Sequence, residues 1–206
     1  MLELYIKGGE FMHPILFCLI LGLGFIVERF ISLTKSSTNI RKFMVTFNQT
    51  LKDQGLDAAI EFCQNTKGSA SSVILAGLGK VKYGVRHVET AIENAASVEM
   101  AFLEKGLIYL NTVIALAPML GFTGTVWGMI GAFDAIAAAG DVSPSLVADG
   151  ISQALITTLG GLVVAMIVQL FTNYFIARVS TLIVEMEESS VEAVDALIDQ
   201  GIVKLD

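Results

Sequence analysis

The chain has 206 residues and a formal net charge of −7, with 54% apolar and only 16% charged residues. A soluble globular domain carries nearer a quarter charged residues, so this composition indicates a membrane protein with room for a modest soluble portion. The acidic balance argues against nucleic acid as a partner, and the length excludes a large separate enzyme domain.

The chain begins with a short polar lead, residues 1–10, which lacks the basic start and small-residue cleavage site of a signal peptide. Residues 11–33 are mostly apolar, and we interpret them as the first transmembrane helix. Pro14 lies in the first turn of this helix, where a missing backbone N–H costs little. His13 is interpreted as an interfacial residue, with a proton-relay role as the alternative.

The region 34–105 is polar, and its apolar residues recur at helical spacing. The pattern predicts helices over three stretches: 37–51, 56–63 and 69–80. Breaks are expected near Gly68 and Gly84. From about residue 87 no Gly or Pro occurs before Gly106, so a helix is predicted to run straight into the second span. Four glutamates are expected to coat its wet side: Glu89, Glu93, Glu99 and Glu104.

Two long apolar segments, 106–133 and 150–177, contain no charged residue. Each has about 28 residues and would reach roughly 42 Å as a helix, more than the length needed to cross a bilayer. We interpret them as the second transmembrane helix, 106–133, and the third, 150–178. The link 134–149 has only aspartates as charged residues, and the acidic stretch 179–206 is predicted to extend the third helix.

The distribution of basic residues predicts the orientation of these spans. Region 34–105 holds 9 of the 13 Lys and Arg residues, which places it in the cytoplasm by the positive-inside rule. The link 134–149 has no Lys or Arg and fits the opposite side. The N-terminus is therefore predicted outside, the spans number three, and the C-terminus is predicted inside.

Small residues form a stripe along the second span. Its glycines recur at steps of three and four: Gly121, Gly124, Gly128 and Gly131. Such a stripe lets another helix approach closely in lipid. Pro118 permits a kink in the same span, because neighbouring groups re-satisfy the freed carbonyl. Gly160 and Gly161 are the corresponding small residues of the third span.

Polar side chains occur inside both long spans. In the third span Gln153 and Thr157 fall on one side with the glycines, and Thr158 is adjacent; Thr125 lies beside the glycine stripe of the second. Each threonine alone has a simple alternative, a hydrogen bond to a carbonyl of its own helix. Three together in two spans otherwise poor in polar groups favour a wet path.

No residue set supports an enzyme, because neither metal-ligand spacing nor a phosphate loop occurs and only two histidines are present. The two cysteines, Cys18 and Cys63, are interpreted as buried or inert thiols without a disulfide. An ion pathway normally needs an ionisable group in the membrane. The second and third spans supply no acid, so a partner must provide one if ions pass.

Two stretches resemble signatures of one known family. Residues 117–130 read APMLGFTGTVWGMI, and residues 150–162 read GISQALITTLGGL, followed by Asn173, Tyr174 and Phe175. They resemble the second- and third-span signatures of the MotA/TolQ/ExbB proton-channel family. The three-span layout with an outside start resembles the ExbB and TolQ branch and not the four-span flagellar branch.

The resemblance implies an all-α integral membrane protein with long cytoplasmic helical extensions, assembled as a homo-oligomeric ring, typically a pentamer. It implies two single-span partner helices of the ExbD/TolR type inside the ring, with a membrane aspartate that takes up the ion. Thr125 and Thr158 match the threonines that face this aspartate. The implied location is the bacterial inner membrane, in contact with lipid, and no cofactor is implied beyond the transported H⁺ or Na⁺.

The resemblance further implies a stator subunit whose ion flow drives work in the periplasm or at the outer membrane. One position departs from the pattern, because ExbB and TolQ proteins often have a glutamate where this chain has Gln153. An amide cannot hold a charge or exchange a proton, which raises sodium drive or a gliding-type motor as alternatives. A passive scaffold, in which the glycines and threonines only pack helices, is the alternative from another class.

Overall fold

The structure, a computed structural model, describes residues 2–36, 40–139 and 144–203. Every regular element within these ranges is helical, which confirms the all-α prediction. The helices in chain order are α1 (Leu2–Lys7), α2 (Met12–Ser36), α3 (Ile40–Gln54), α4 (Leu56–Asn65), α5 (Ser69–Leu78), α6 (Val85–Glu104), α7 (Leu107–Ala139) and α8 (Pro144–Asp199). A 3₁₀ turn at Val81–Tyr83 lies between α5 and α6.

Three helical stretches are long and apolar enough to cross a membrane: Met12–Thr34, Val85–Ala138 and Val147–Asp199. Each contains one of the three predicted spans, so the three-span fold class is confirmed. The second stretch joins α6 to α7, but α6 ends at Glu104 and α7 begins at Leu107. The predicted uninterrupted helix therefore has a two-residue turn at Lys105–Gly106.

The helices α7 and α8 extend further into the predicted link 134–149 than the sequence suggested. Helix α7 continues to Ala139 because its last turns are rich in alanine, the residue with the highest helix propensity. Helix α8 begins at Pro144, and proline is favoured at the first helical position. Asp141, one of the link aspartates, lies outside the described residues.

The chain divides into two compact units. Unit 1 comprises Met1–Glu28 and Leu107–Tyr174, and unit 2 comprises Arg29–Gly106 and Phe175–Asp206. Unit 1 therefore holds α1, most of α2, all of α7 and the first part of α8. Unit 2 holds the end of α2, α3 to α6 and the remainder of α8.

Unit 2 has a core of apolar side chains from α3 to α6 and α8. Its largest fully buried members are Phe47, Phe175, Leu51, Ile74, Leu103, Leu182, Met186 and Leu197. Asn48 donates a hydrogen bond of 2.7 Å to Glu192, which ties α3 to the end of α8. The helices predicted at 56–63 and 69–80 are present, although α4 continues to Asn65 and α5 ends at Leu78; the breaks at Gly68 and Gly84 are confirmed, and both glycines adopt positive φ angles.

Helix α6 presents three of its four glutamates to solvent, Glu89, Glu93 and Glu104, whereas Glu99 is half-buried. Its buried side chains are Val88, Ile92 and Leu103, whereas Val98 and Phe102 are exposed. The apolar stripe seen in the sequence therefore does not stay on one buried face. Near the end of α6 the buried Arg29 reaches the Leu103 carbonyl oxygen at 3.5 Å and lies against Gly106, where a side chain would collide with the guanidinium.

Candidate ion pathway

The glycine stripe of α7 packs against α8 of the same chain. A Cβ built on Gly121 would lie 2.9 Å from the Thr157 carbonyl oxygen, and one on Gly128 would lie 3.1 Å from the Gly150 carbonyl oxygen. Contacts this short leave no room for a side chain, so glycine at these positions permits the close approach of the two helices. Gly131 differs, because nothing lies within 4 Å of a Cβ built there.

The third span contributes a matching pair of glycines. Gly161 lies against the Ala117 carbonyl, close to Gly121, on the α7 side of the helix. Gly160 faces α2, where a built Cβ would lie 3.4 Å from the sulfur of Met12. Gly161 therefore permits the close approach of α8 to α7, whereas a methyl group at Gly160 would make ordinary contacts with α2. Pro118 is half-buried inside α7, which continues as a helix on both sides of it.

The hydroxyls of Thr125 and Thr158 meet across the α7–α8 contact in a direct hydrogen bond. A backbone carbonyl is also within reach of each hydroxyl. The Thr125 Oγ1 lies 3.1 Å from the Ala154 oxygen, and the Thr158 Oγ1 lies 3.2 Å from the Gly121 oxygen. Both side chains are half-buried in the single chain.

This arrangement fixes what the hydroxyl pair can do chemically. A hydroxyl has one proton and two lone pairs. When one hydroxyl donates to the other and the second donates to a carbonyl, both protons are used. Each oxygen still keeps a lone pair that can accept a hydrogen bond or coordinate a cation. The pair between Thr125 and Thr158 is therefore an acceptor site and not a donor site.

Thr157 has a different position from its neighbour Thr158. Its side chain is only 1% exposed and donates a hydrogen bond of 2.8 Å to the Ala154 carbonyl oxygen. It fills the space beside Gly124, where a built Cβ would lie 2.7 Å from the Thr157 hydroxyl oxygen. Within one chain Thr157 therefore packs α8 against α7, whereas Thr125 and Thr158 stay partly accessible.

Gln153 lies one turn before Thr157 on α8 and is half-buried. Its amide nitrogen packs directly on Gly9, the residue that turns the chain between α1 and α2 with a φ of 69°. A side chain at position 9 would be strained by this φ and would collide with the amide. Sequence reasoning did not single out Gly9, Gly150 or Ala154; for the last two the only available signal was their small size at helical spacing from Gln153 and Thr158.

Comparison with known proteins gives one family. A model described as the MotA/TolQ/ExbB proton channel family matches residues 65–188. A protein of Methanothermobacter thermautotrophicus named as a biopolymer transport protein ExbB homolog is 33% identical over 188 residues, 90% of this chain and 66% of that protein. The biopolymer transport protein ExbB of Xanthomonas campestris pv. campestris is 36% identical over 120 residues, 58% of this chain and 46% of that protein.

The Tol-Pal system protein TolQ of Haemophilus influenzae is also similar, at 36% identity over 92 residues. The aligned part is 45% of this chain and 40% of that protein. The chain thus spans two thirds or less of the length of these relatives. The family match includes all of the stretch 117–162, where the glycine stripe, the threonines and Gln153 lie.

Proposed function

Because the chain belongs to the MotA/TolQ/ExbB proton channel family, we propose that it is the ring-forming stator subunit of an ion-driven membrane motor. The family consists of channel and transport-energising proteins and not of enzymes. The chain would be a multi-pass protein of the bacterial inner membrane. Its N-terminus would be periplasmic, and its basic region 34–105 and its C-terminus would be cytoplasmic.

The observation that carries this proposal is the hydroxyl pair of Thr125 and Thr158 between two uncharged spans. The pair offers oxygen lone pairs at a depth where lipid offers none, and an unpaired polar group there is costly. A protonated carboxylic acid would supply a hydrogen-bond donor to these oxygens, and a partly dehydrated Na⁺ would supply a cation for them to coordinate. The acid would come from a single-span partner of the ExbD/TolR type, because the second span has no acidic residue between 106 and 133 and the third has none between 150 and 177.

The proposed assembly is a pentameric ring around two such partner helices. Apolar side chains along the outer faces of α2, α7 and α8 support it, since many are largely exposed in the single chain; examples are Phe17, Met119, Phe122, Leu155 and Leu170. Lipid and neighbouring subunits would cover these faces. The names of the relatives suggest that the motor energises biopolymer transport or an envelope system of the Tol-Pal kind.

The test replaces Thr158 by Val in the chain co-expressed with its partner and measures ion flux in vesicles. Valine keeps the shape and removes the oxygen, so we expect partner-dependent flux to be lost while assembly is retained. Thr123→Val is the control on the neighbouring span α7, because Thr123 is exposed and its hydroxyl donates to the Met119 carbonyl at 2.8 Å, away from the hydroxyl pair.

The passive scaffold is the second candidate, and one observation favours it: both hydroxyl protons of the pair are satisfied within the chain. A Thr158→Val complex that assembles and conducts ions like the parent would establish the scaffold. A neighbouring gene for a short protein with one N-terminal span and an Asp near its start would favour the motor.

A further inference from the structure

A polar cavity of about 460 Å³ opens in unit 1 beside the first turns of α8. Its lining includes two opposite charges, Lys7 of α1 and Asp149 of α8, together with Ser152, Gln153 and the indole of Trp127. The cavity is far larger than one water molecule needs, and its lining supplies several polar partners. It can therefore hold a hydrated cation.

The polar lining continues from this cavity towards the threonines. Asp149, Gln153 and Thr157 are separated by steps of four residues, which places them on one face of α8. Asp149 and Gln153 line the cavity, and Thr157 lies one turn beyond, next to Thr158. The rise of a helix puts Asp149 about 12 Å from Thr157 along the axis. This polar stripe ends at the buried Thr157, whose neighbour in sequence, Thr158, belongs to the hydroxyl pair.

The charges around the cavity are few. Helix α8 contributes Asp149, and α1 contributes Lys7. The lining residues of α7 are Trp127 and four small residues, Gly128, Gly131, Ala132 and Ala135, and none of them titrates. Asp149 is thus the one acidic group among the described residues of this lining, and it directly precedes the uncharged part of α8.

We infer that Asp149 is a cation-binding residue at the outer entrance of the ion pathway, an inference that rests on the function proposed above. The Asp149 carboxylate collects a monovalent cation, H₃O⁺ or Na⁺, from water. The Ser152 hydroxyl and the Gln153 amide oxygen then offer neutral oxygen ligands on the way to the threonines. This assigns the charge of the entrance to position 149, because the amide at 153 carries none.

Lys7 lowers the affinity of the site for cations. Lys7 lines the same cavity as Asp149, and its positive charge opposes the entry of a cation. Conduction requires a site that binds well enough to admit an ion and weakly enough to release it. Lys7 keeps the affinity in this weak range, so its removal should tighten cation binding whereas removal of Asp149 should weaken it.

The experiment measures ion flux through the complete complex in vesicles as a function of the external H⁺ or Na⁺ concentration. For Asp149→Asn we expect the half-saturating concentration to rise about tenfold, which corresponds to about 1.4 kcal/mol of cation-binding free energy. For Lys7→Gln we expect the half-saturating concentration to decrease. Asp134→Asn is the matched control: Asp134 is an exposed aspartate on α7 outside the cavity lining, so the parent value should be kept.

A chemical rescue at position 149 distinguishes the loss of the negative charge from a structural effect of the substitution. Asp149→Cys should respond to an anionic methanethiosulfonate added outside by recovering the parent concentration dependence, and a cationic reagent should not restore it. Both native cysteines are buried, so the introduced thiol is the accessible one among the described residues. A parent-like Asp149→Asn curve, an equal shift in Asp134→Asn, or rescue by both reagents would overturn the inference.

The same vesicles separate this inference from the proposed function. Loss of flux in Thr158→Val together with an unchanged curve in Asp149→Asn would refute only the role of Asp149. A parent complex that carries no partner-dependent flux would refute both.

Discussion

Gly161 of α8 lies directly against the carbonyl group of Ala117 in α7. The contact is with backbone, which cannot rotate away as a side chain can. The two spans therefore approach each other at a point where even a methyl group has no room. This close approach brings Thr125 and Thr158 into hydrogen-bonding distance, so the packing of the glycines and the position of the hydroxyl pair have the same cause.

Replacement of Gly161 by Ala should therefore push the two helices apart. We expect a loss of stability of about 1–3 kcal/mol, the usual cost of overpacking a close contact. Gly131→Ala, on the glycine stripe of α7, is the control, because open space surrounds that position and the substitution adds helix propensity. Thermal unfolding in detergent measures both variants. Equal midpoints for the two alanine variants would contradict the packing geometry.

Thr125→Ser and Thr125→Val separate the hydroxyl from the rest of the side chain. Serine keeps the bond to Thr158 and should support ion flux, whereas valine should abolish it. The stability cost of valine should stay small, about 0.6 kcal/mol, since hydrogen bonds between membrane helices are weak on average. Flux and thermal unfolding are measured on the same preparations. A valine variant with full flux, or a serine variant with none, would be inconsistent with an acceptor role for this hydroxyl.

Gln153→Glu introduces a titratable group on the polar stripe of α8. A carboxylate there would change its charge with pH, so ion flux should become more strongly pH-dependent than in the parent. Gln153→Met keeps the length without charge and should retain the pH profile of the parent. The measurement is flux in vesicles across a pH series at fixed Na⁺. If the glutamate variant keeps the ion preference and pH profile of the parent, position 153 has no part in ion selection.

Part of this architecture follows directly from sequence. The second and third spans are visible because uncharged stretches of about 28 residues have no other common explanation, and the first is visible as the mostly apolar run 11–33. The order of Gly121, Gly124 and Gly128 indicates a close helix contact, although not which helix makes it. The extent of α7 and α8 was underestimated, because the aspartates of the link suggested solvent-exposed chain while the alanines before residue 140 extend the helix.

The individual roles of the threonines could not be predicted. Thr157 and Thr158 are neighbours in sequence, yet one is buried against Gly124 and the other meets Thr125. Adjacent residues point about 100° apart around a helix, so their surroundings depend on the rotation of α8 against α7. That rotation is determined by contacts between backbone atoms, such as Gly128 with Gly150, and periodicity alone does not specify it.

Cys63 allows a test of unit 2 that does not depend on ion flux. Burial raises the pKa of the Cys63 thiol from its ordinary value of 9.0 to about 12. The thiol should therefore stay protonated in the folded unit at pH 8 and react slowly with a maleimide, since the thiolate is the nucleophile. A Cys18→Ala background isolates this signal. Rapid labelling of the folded protein at pH 8 would show that the core around Cys63 is open.

The same shift predicts how stability depends on pH. A folded pKa above the unfolded value means that the folded state holds the proton more tightly. The resulting stabilisation is fully present below about pH 9 and is lost as the pH rises from 9 towards 12. The loss of helical circular dichroism in a urea series at pH 8 and pH 10.5 should show an earlier unfolding transition at the higher pH. Cys63→Ala lacks the thiol, so the part of this pH difference that comes from Cys63 should disappear in that variant.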